Sequence, residues 1–254
     1  MSIKLNSAAG GSVSLVEPST GIDYSVVFPA ASGNAVVTPL PAGTTSNAPL
    51  VLTTGSLLTT PVAGAMEYDG ETLLFTPIGT QRGVVPGMQY FRLNSDLVGS
   101  NATGAQNMLG VGVTLSSSTI YAFEAAAVFT KTAGVTSHTL STLFGGTATI
   151  NNIYYTVHAA DQNVSINTRV STAQGITPIN VTSATIVTGA MASATQIAVL
   201  NIKGTVSINS GGTFIPQYSL SAAPGGAYTV VAGGYFAIYP IAVSGSNTSI
   251  GAWV

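Results

Sequence analysis

The stretch "GAMEYDGETLLFTP" (residues 64–77) sets Glu67, Asp69 and Glu71 side by side in a chain with 8 Asp and Glu in all. Three carboxylates this close could ligate a cation or divide general-acid and general-base roles. A calcium loop, however, needs further oxygen ligands at set spacing and a closing bidentate acid, and none follows here. Asp69-Gly70 lies instead between alternating apolar residues, a strong hairpin signal because both residue types tolerate positive φ. The expectation is a hairpin turn at Asp69 and Gly70, with Met66, Tyr68, Leu73 and Phe75 as inward rows and Glu67 and Glu71 in water.

The remaining candidates for chemistry are sparse. There are two histidines, His138 and His158, and His158 is three residues from Asp161, so the two could pair. No nucleophile elbow, H-E-x-x-H, phosphate-binding loop or dinucleotide fingerprint occurs. Glycoside hydrolysis needs two acids about 5–10 Å apart across a cleft, and beyond residue 100 only Glu124 and Asp161 are available. Glu124 is placed within an alternating strand, opposite Lys131 or Arg169, as a paired charge at a subunit interface. Tyr121, Phe123, Tyr235, Phe236 and Trp253 join it as packing or interface candidates. Catalytic residues, cofactors and metals are not expected. The sequons at Asn101, Asn163, Asn180 and Asn247 are what a chain rich in Asn, Ser and Thr contains by accident.

The elements that must position these residues follow from composition. The 254 residues are 46% hydrophobic but 6% charged, with net charge −2; soluble domains usually carry about 25% charged residues. Neutral Ser, Thr, Asn and Gln must keep the surface wet. Hydroxyls and amides are buried against a partner at modest cost if paired, whereas a buried charge costs far more. Such a surface suits burial in an assembly, and it offers no field for nucleic acid or anionic lipid. With no cysteine, disulfides and thiolate chemistry are excluded. The opening "MSIKLNSAAGGSVSLVEP" carries no apolar core run and does not read as a secretory signal, so synthesis in the cytosol is expected, with any release by another route. No run of about 18 apolar residues exists, so membrane insertion by a helix is not expected.

Gly (29) and Pro (12) punctuate dense β-branched stretches, the pattern of many short strands joined by turns. "SVSLV" and "YSVVF" read as strands within residues 1–30. Residues 31–63 have too few large apolar residues for a core of their own and should order only by wrapping a partner, identical copies being the simplest one. From residue 89, strands are read in "QYFRLNS", "TIYAFEAAAVFTK", "TSHTLSTLFGG", "TATINNIYYTVHA", "VSINTRVST", "TSATIVTGA", "TQIAVLNIKGTVSIN", "TFIPQYSLSAA", "GGYFAIYPIAV" and "IGAWV". A short helix or turn is read near 102–108, and a second hairpin turning at "NSGG" (209–212). The spacing points to an antiparallel β-sandwich or jelly roll.

The block "GAMEYDGETLLFTP…RGVVP" (64–86) resembles the hairpin linker of many tailed-bacteriophage fibre-type and virion surface proteins. Residues 110–150 and 202–241, with the closing "SIGAWV", are similar to the C-terminal domain that often follows it, and residues 10–30 to N-terminal segments of the same proteins. The resemblance implies an all-β homotrimer displayed on a virion: an N-terminal β anchor (1–30), an intertwined extended stem with the hairpin (31–88) and a jelly-roll-like head (89–254). Its implied partners are its own copies, other virion proteins of capsid or tail, and a host-surface glycan touched by the head. A capsid decoration protein clamping capsomers is the alternative; a carbohydrate-active depolymerase and a free lectin-like module are further readings. With so few ion pairs available, a trimer held by apolar burial should keep its mass when ionic strength alone is raised to about 1 M. Sedimentation that shows dissociation on adding salt would contradict this.

Overall fold

The computed structural model describes residues 2–6, 12–16, 42–162, 172–179, 181–245, 247 and 249–253; among them there is no helix, and every strand pairing is antiparallel. The chain divides into two compact units, residues 1–51 and 52–254. In the first, β1 (Ser2–Asn6) pairs with β2 (Ser12–Val16) in the register Lys4↔Ser14. β2 is the "SVSLV" strand; "YSVVF" lies outside the described residues, as does 164–171 of the proposed "VSINTRVST" strand.

The second unit is built on the strand whose alternation is clearest in the sequence. β10 (Thr119–Lys131) is 13 residues long, and its side chains alternate buried and half-buried along its whole length. Because successive side chains leave opposite faces of a strand, Tyr121, Phe123, Ala125, Ala127 and Phe129 all point one way, and all are buried. They form one wall of a core that needs a second sheet as its other wall.

The first sheet has eight strands. β15 (Gln196–Ser210) and β18 (Tyr235–Val243) flank β10; β12 (Thr149–Gln162) and β13 (Thr172–Ile179) extend it beyond β15, and β6 (Gln89–Arg92) beyond β18. Past the end of β18, β17 (Thr229–Val230) takes over the same edge of β10 and carries β7 (Leu97–Val98). The facing sheet has five: β14 (Ser183–Met191), β11 (His138–Gly145) and β16 (Gly212–Leu220), with β8 (Gln106–Asn107) and β9 (Val113–Leu115) along β16. Phe123 stands at the centre of the core. Its ring lies 5.1 Å from Phe144, 6.0 Å from Phe214, 5.9 Å from Phe236 and 6.3 Å from Tyr155, drawing side chains from both sheets into one aromatic cluster of the spacing such rings favour.

Three expectations for this unit are corrected. The turn at 209–212 is not a hairpin: β15 pairs with β10 and β12, while β16 pairs with β11, so the chain crosses from one sheet to the other here. The glycines are needed because the arch runs against other backbone: a Cβ on Gly212 would come within 2.7 Å of the Ala148 amide nitrogen, and one on Gly211 within 2.8 Å of the Leu115 carbonyl. Of the helix or turn expected at 102–108, the structure forms bends and β8 with no helix, and residues 250–253 of the expected "IGAWV" strand form none, leaving Trp253 exposed with its Nε1 donating to the Ile250 carbonyl.

The same unit holds a three-stranded sheet of β3 (Met66–Tyr68), β4 (Leu73–Phe75) and β5 (Gly83–Val85). The hairpin is present, but its faces are reversed from the expectation: Thr72, Leu74 and Thr76 are buried, whereas Met66 and Phe75 are 54% and 38% exposed. Glu67 pairs with Leu74 in register and shares the inward row. Residues 52–63 form no strand, yet Gly55 N donates to the Tyr68 carbonyl along the hairpin's flank.

Replacing Phe123 by Ala should destabilise the chain by about 3–5 kcal/mol, read as a lowered urea midpoint with an unchanged slope. A shift below about 1 kcal/mol would mean the aromatic cluster is not the centre of the core.

Candidate functional site

The three hairpin carboxylates do not converge. Asp69 Oδ1 accepts from the amides of Glu71 (2.9 Å) and Thr72 (2.7 Å), closing a four-residue loop in which Gly70 alone takes positive φ (102°). This is an Asx turn, a carboxylate replacing the missing backbone partners of a loop. Glu67 is the acid end of a bidentate ion pair: Arg82 Nε reaches Oε2 at 2.8 Å and Nη2 reaches Oε1 at 3.1 Å. Leu58 completes the lock, its amide donating to Glu67 Oε1 (2.7 Å) and its carbonyl accepting from Arg82 Nη2 (2.8 Å). Glu71 Oε2 accepts from the buried Thr119 hydroxyl (2.7 Å) at the start of β10. Neither Glu67 nor Glu71 is therefore the solvated neighbour expected of it. Hairpin, leading segment and sandwich are tied together by acids that look, in sequence, like a site. Among the described residues no group of three His, Asp or Glu is placed to hold a metal.

The His158–Asp161 pair is excluded by parity. Both lie on β12, and a separation of three puts them on opposite faces of the sheet: His158 is exposed, and Asp161 shares the inward row of Tyr155, Val157 and Ala159. Burial raises the Asp161 pKa, and its Oδ1 has no hydrogen-bond partner. His138 is fully enclosed. Its Nδ1 lies 2.7 Å from the Thr136 carbonyl and its Nε2 2.9 Å from the Tyr228 hydroxyl, so both ring nitrogens are engaged. Lys131 is buried beside it at the end of β10, donating to the carbonyls of Gly134 (2.7 Å) and Ser193 (2.8 Å) and lying 5.9 Å from the Tyr228 ring. This polar knot clamps two loops at one end of the sandwich, with no open side for a substrate among the residues that form it.

Lys131 therefore faces inward and is not opposite Glu124; Arg169 lies outside the described residues. Glu124 occupies the outward face of β10, directly across from Lys203 on β15 and Ala237 on β18. The Tyr235 hydroxyl approaches Glu124 Oε1 at 3.5 Å, and the Tyr235 ring lies 5.7 Å from that of Tyr90 on β6. Burial raises the Tyr235 pKa, with the Glu124 charge adding to it. Tyr121, Phe123 and Phe236, the other aromatic candidates, are core. Local sequence pattern does not single out Tyr90 and Lys203, because their place beside Glu124 comes from pairing between strands far apart in the chain.

Two clefts are described. One, about 370 Å³, opens between the edge strands β6 and β9 and is lined mainly by apolar groups, among them Tyr90, Phe91, Val113 and Pro216, with no carboxylate. The other, about 430 Å³, lies between the hairpin and residues 242–243 and 249–252, and Asp69 is the only carboxylate in its lining. Neither holds the facing pair of acids that hydrolysis of a glycosidic bond uses.

Burial holds the His138 pKa below its ordinary value; the Thr136 carbonyl opposes this and the Lys131 charge adds to it. The unfolded chain therefore takes up this proton first, so stability from a neutral His138 is lost as pH falls through about 6.5. The melting temperature of the wild type should drop further between pH 7.5 and 5 than that of His138→Gln, and the difference between the profiles isolates the histidine; parallel profiles would refute it. Comparison with protein-family models, with curated proteins and with solved structures finds no match to this chain, so its function is read from its geometry.

Proposed function

We propose that this chain is a non-enzymatic structural protein of a tailed-phage virion, a homotrimer displayed on the particle as a short fibre or appendage, with residues 89–254 as its jelly-roll-like head. The observation that carries the reading is the outward face of the hairpin sheet. Met66, Phe75 and Val85 stand exposed on one side of strands only three residues long, while the other side is already buried. Strands this short gain by burying apolar surface, and an apolar surface on both sides of the sheet asks for cover on both. Leu58 and Val62, on the segment leading into it, are exposed as well. Identical copies supply matching apolar faces at no cost in new sequence, and closed symmetry is the usual outcome.

Two further features support the same reading. Several ionisable groups that suggest catalysis in the sequence are taken up in structural bonds: Glu67 with Arg82, Asp69 in its loop, His138 with Tyr228. The outward side of the five-stranded sheet also carries neutral groups, among them Ser141, Leu143, Gln217 and Ser219, a surface that is inexpensive to desolvate.

The native mass, measured by light scattering after size exclusion, is expected at three chains, with Phe75→Glu reducing it to one. On purified particles a C-terminal label should fall on the tail. Label spread over the whole head would move the chain to capsid decoration; a wild type that is a stable monomer would overturn the proposal.

A further inference from the structure

The two outward faces of the sandwich differ in what they carry. On the five-stranded sheet the described outward positions of β11 and β16 are hydroxyl, amide or aliphatic groups. On the eight-stranded sheet the strand registers gather ionisable and aromatic groups into one patch. Tyr90, Ala237, Glu124, Lys203 and Thr156 form one row across β6, β18, β10, β15 and β12; Arg92, Tyr235, Ala126, Asn201 and His158 form the next. In a chain that is 6% charged, this concentration needs a reason.

The patch has a floor and two kinds of wall. Ala237 and Ala126 are short, and Ala237, although on the outward face, is only 1% exposed because longer neighbours lie over it. Tyr90, 57% exposed, and Tyr235 present rings 5.7 Å apart and inclined by 32°, a nearly continuous aromatic surface. Glu124 sits beside them with its Oε1 within 3.5 Å of the Tyr235 hydroxyl, and Lys203 is its cross-strand neighbour. Arg92 is turned to Asn94, donating from Nη1 to Oδ1 at 3.1 Å.

An open ring surface with an acceptor carboxylate and a donor ammonium at its edge matches one ligand chemistry well. The C–H face of a pyranose stacks on aromatic rings, while its hydroxyls donate to a carboxylate and accept from an ammonium. A nucleic acid would meet Glu124 beside the rings and an overall negative chain. A second copy laid on this face would have to desolvate Glu124 and Lys203 together, which a buried pair repays poorly, when neutral faces are available elsewhere on the same unit.

We propose that the patch centred on Tyr90, Tyr235 and Glu124 is a binding surface for a neutral, hydroxyl-rich saccharide. It rests on the reading of the chain as a displayed protein only in requiring this face to stay open in the assembly. Glu124 sets the preference: an acidic sugar would bring a second carboxylate against it. Tyr90 and Tyr235 supply the stacking surface, and Lys203 steers the sugar's remaining oxygens.

The intact chain would be applied to an array of neutral and of sialylated or uronic-acid oligosaccharides, and the bound sugars titrated by calorimetry. Wild type is expected to retain neutral glycans above acidic ones. Tyr90→Ala, Tyr235→Ala and Glu124→Gln should each weaken binding by about tenfold or more, with native mass unchanged and the chain still folded at the assay temperature; Tyr235→Phe, which keeps the ring, should lose much less. Absence of any bound neutral glycan, or variants that bind as wild type does, would overturn the proposal. So would a fall in native mass in these variants, which would make the patch a contact between copies. A wild type that binds neutral glycan but is not trimeric would sink the trimer reading and leave this one standing.

Discussion

A strand that turns an apolar side chain inward at every second position must find a second sheet to bury them. In this protein that strand is β10, and the rest of residues 52–254 is arranged around its demand. Phe123 meets Tyr155 and Phe236 from its own sheet and Phe144 and Phe214 from the facing one, so the two sheets are joined through a single aromatic cluster whose rings leave no freedom to slide. The arch at 209–212 follows from the same demand. Val206 and Ile208 are buried against one sheet's inner side and Phe214 against the other's, which is possible only if the chain crosses the core between them.

Scarcity of charge shapes what remains. Glu67 and Arg82 lock the leading segment to the hairpin through Leu58, Glu71 ties the hairpin to Thr119 on β10, and Lys131 with His138 and Tyr228 closes one end of the sandwich. Pairs that are largely withdrawn from water are worth little as net stability but hold geometry firmly, since removing one partner leaves the other unsatisfied. These bonds are a frame for small elements that lack cores. The outward groups left over, Glu124, Lys203, Arg92 and their tyrosines, are then conspicuous by contrast.

Most strands of the sandwich are legible because one-sided burial writes a period of two into the sequence, as in β10, β11 and β16; β18 is apolar almost throughout, its burial does not alternate, and it is legible from its bounding glycines and β-branched and aromatic content instead. β13 (Thr172–Ile179) was not read, since Gly175 and Pro178 interrupt its alternation. The hairpin turn was legible at Asp69-Gly70 but its faces were not: with apolar residues at 66, 68, 73, 74 and 75, both sides offer candidates, and only Leu74 goes in. Glu67 reads as solvated because its partner Arg82 is fifteen residues away, just ahead of β5, a distance that local pattern does not span.

What the sequence determined by itself was local: strand periodicity, turn chemistry, an all-β class, and a surface nearly without charge. Those properties follow from each residue's relation to its near neighbours. Tertiary structure alone decided which strands pair, that His158 and Asp161 lie on opposite faces, that 209–212 is an arch, and that Tyr90, Tyr235, Glu124 and Lys203 meet. Register between strands is set by burying complementary apolar rows across the whole sheet, a sum over distant residues that no single stretch of the chain contains.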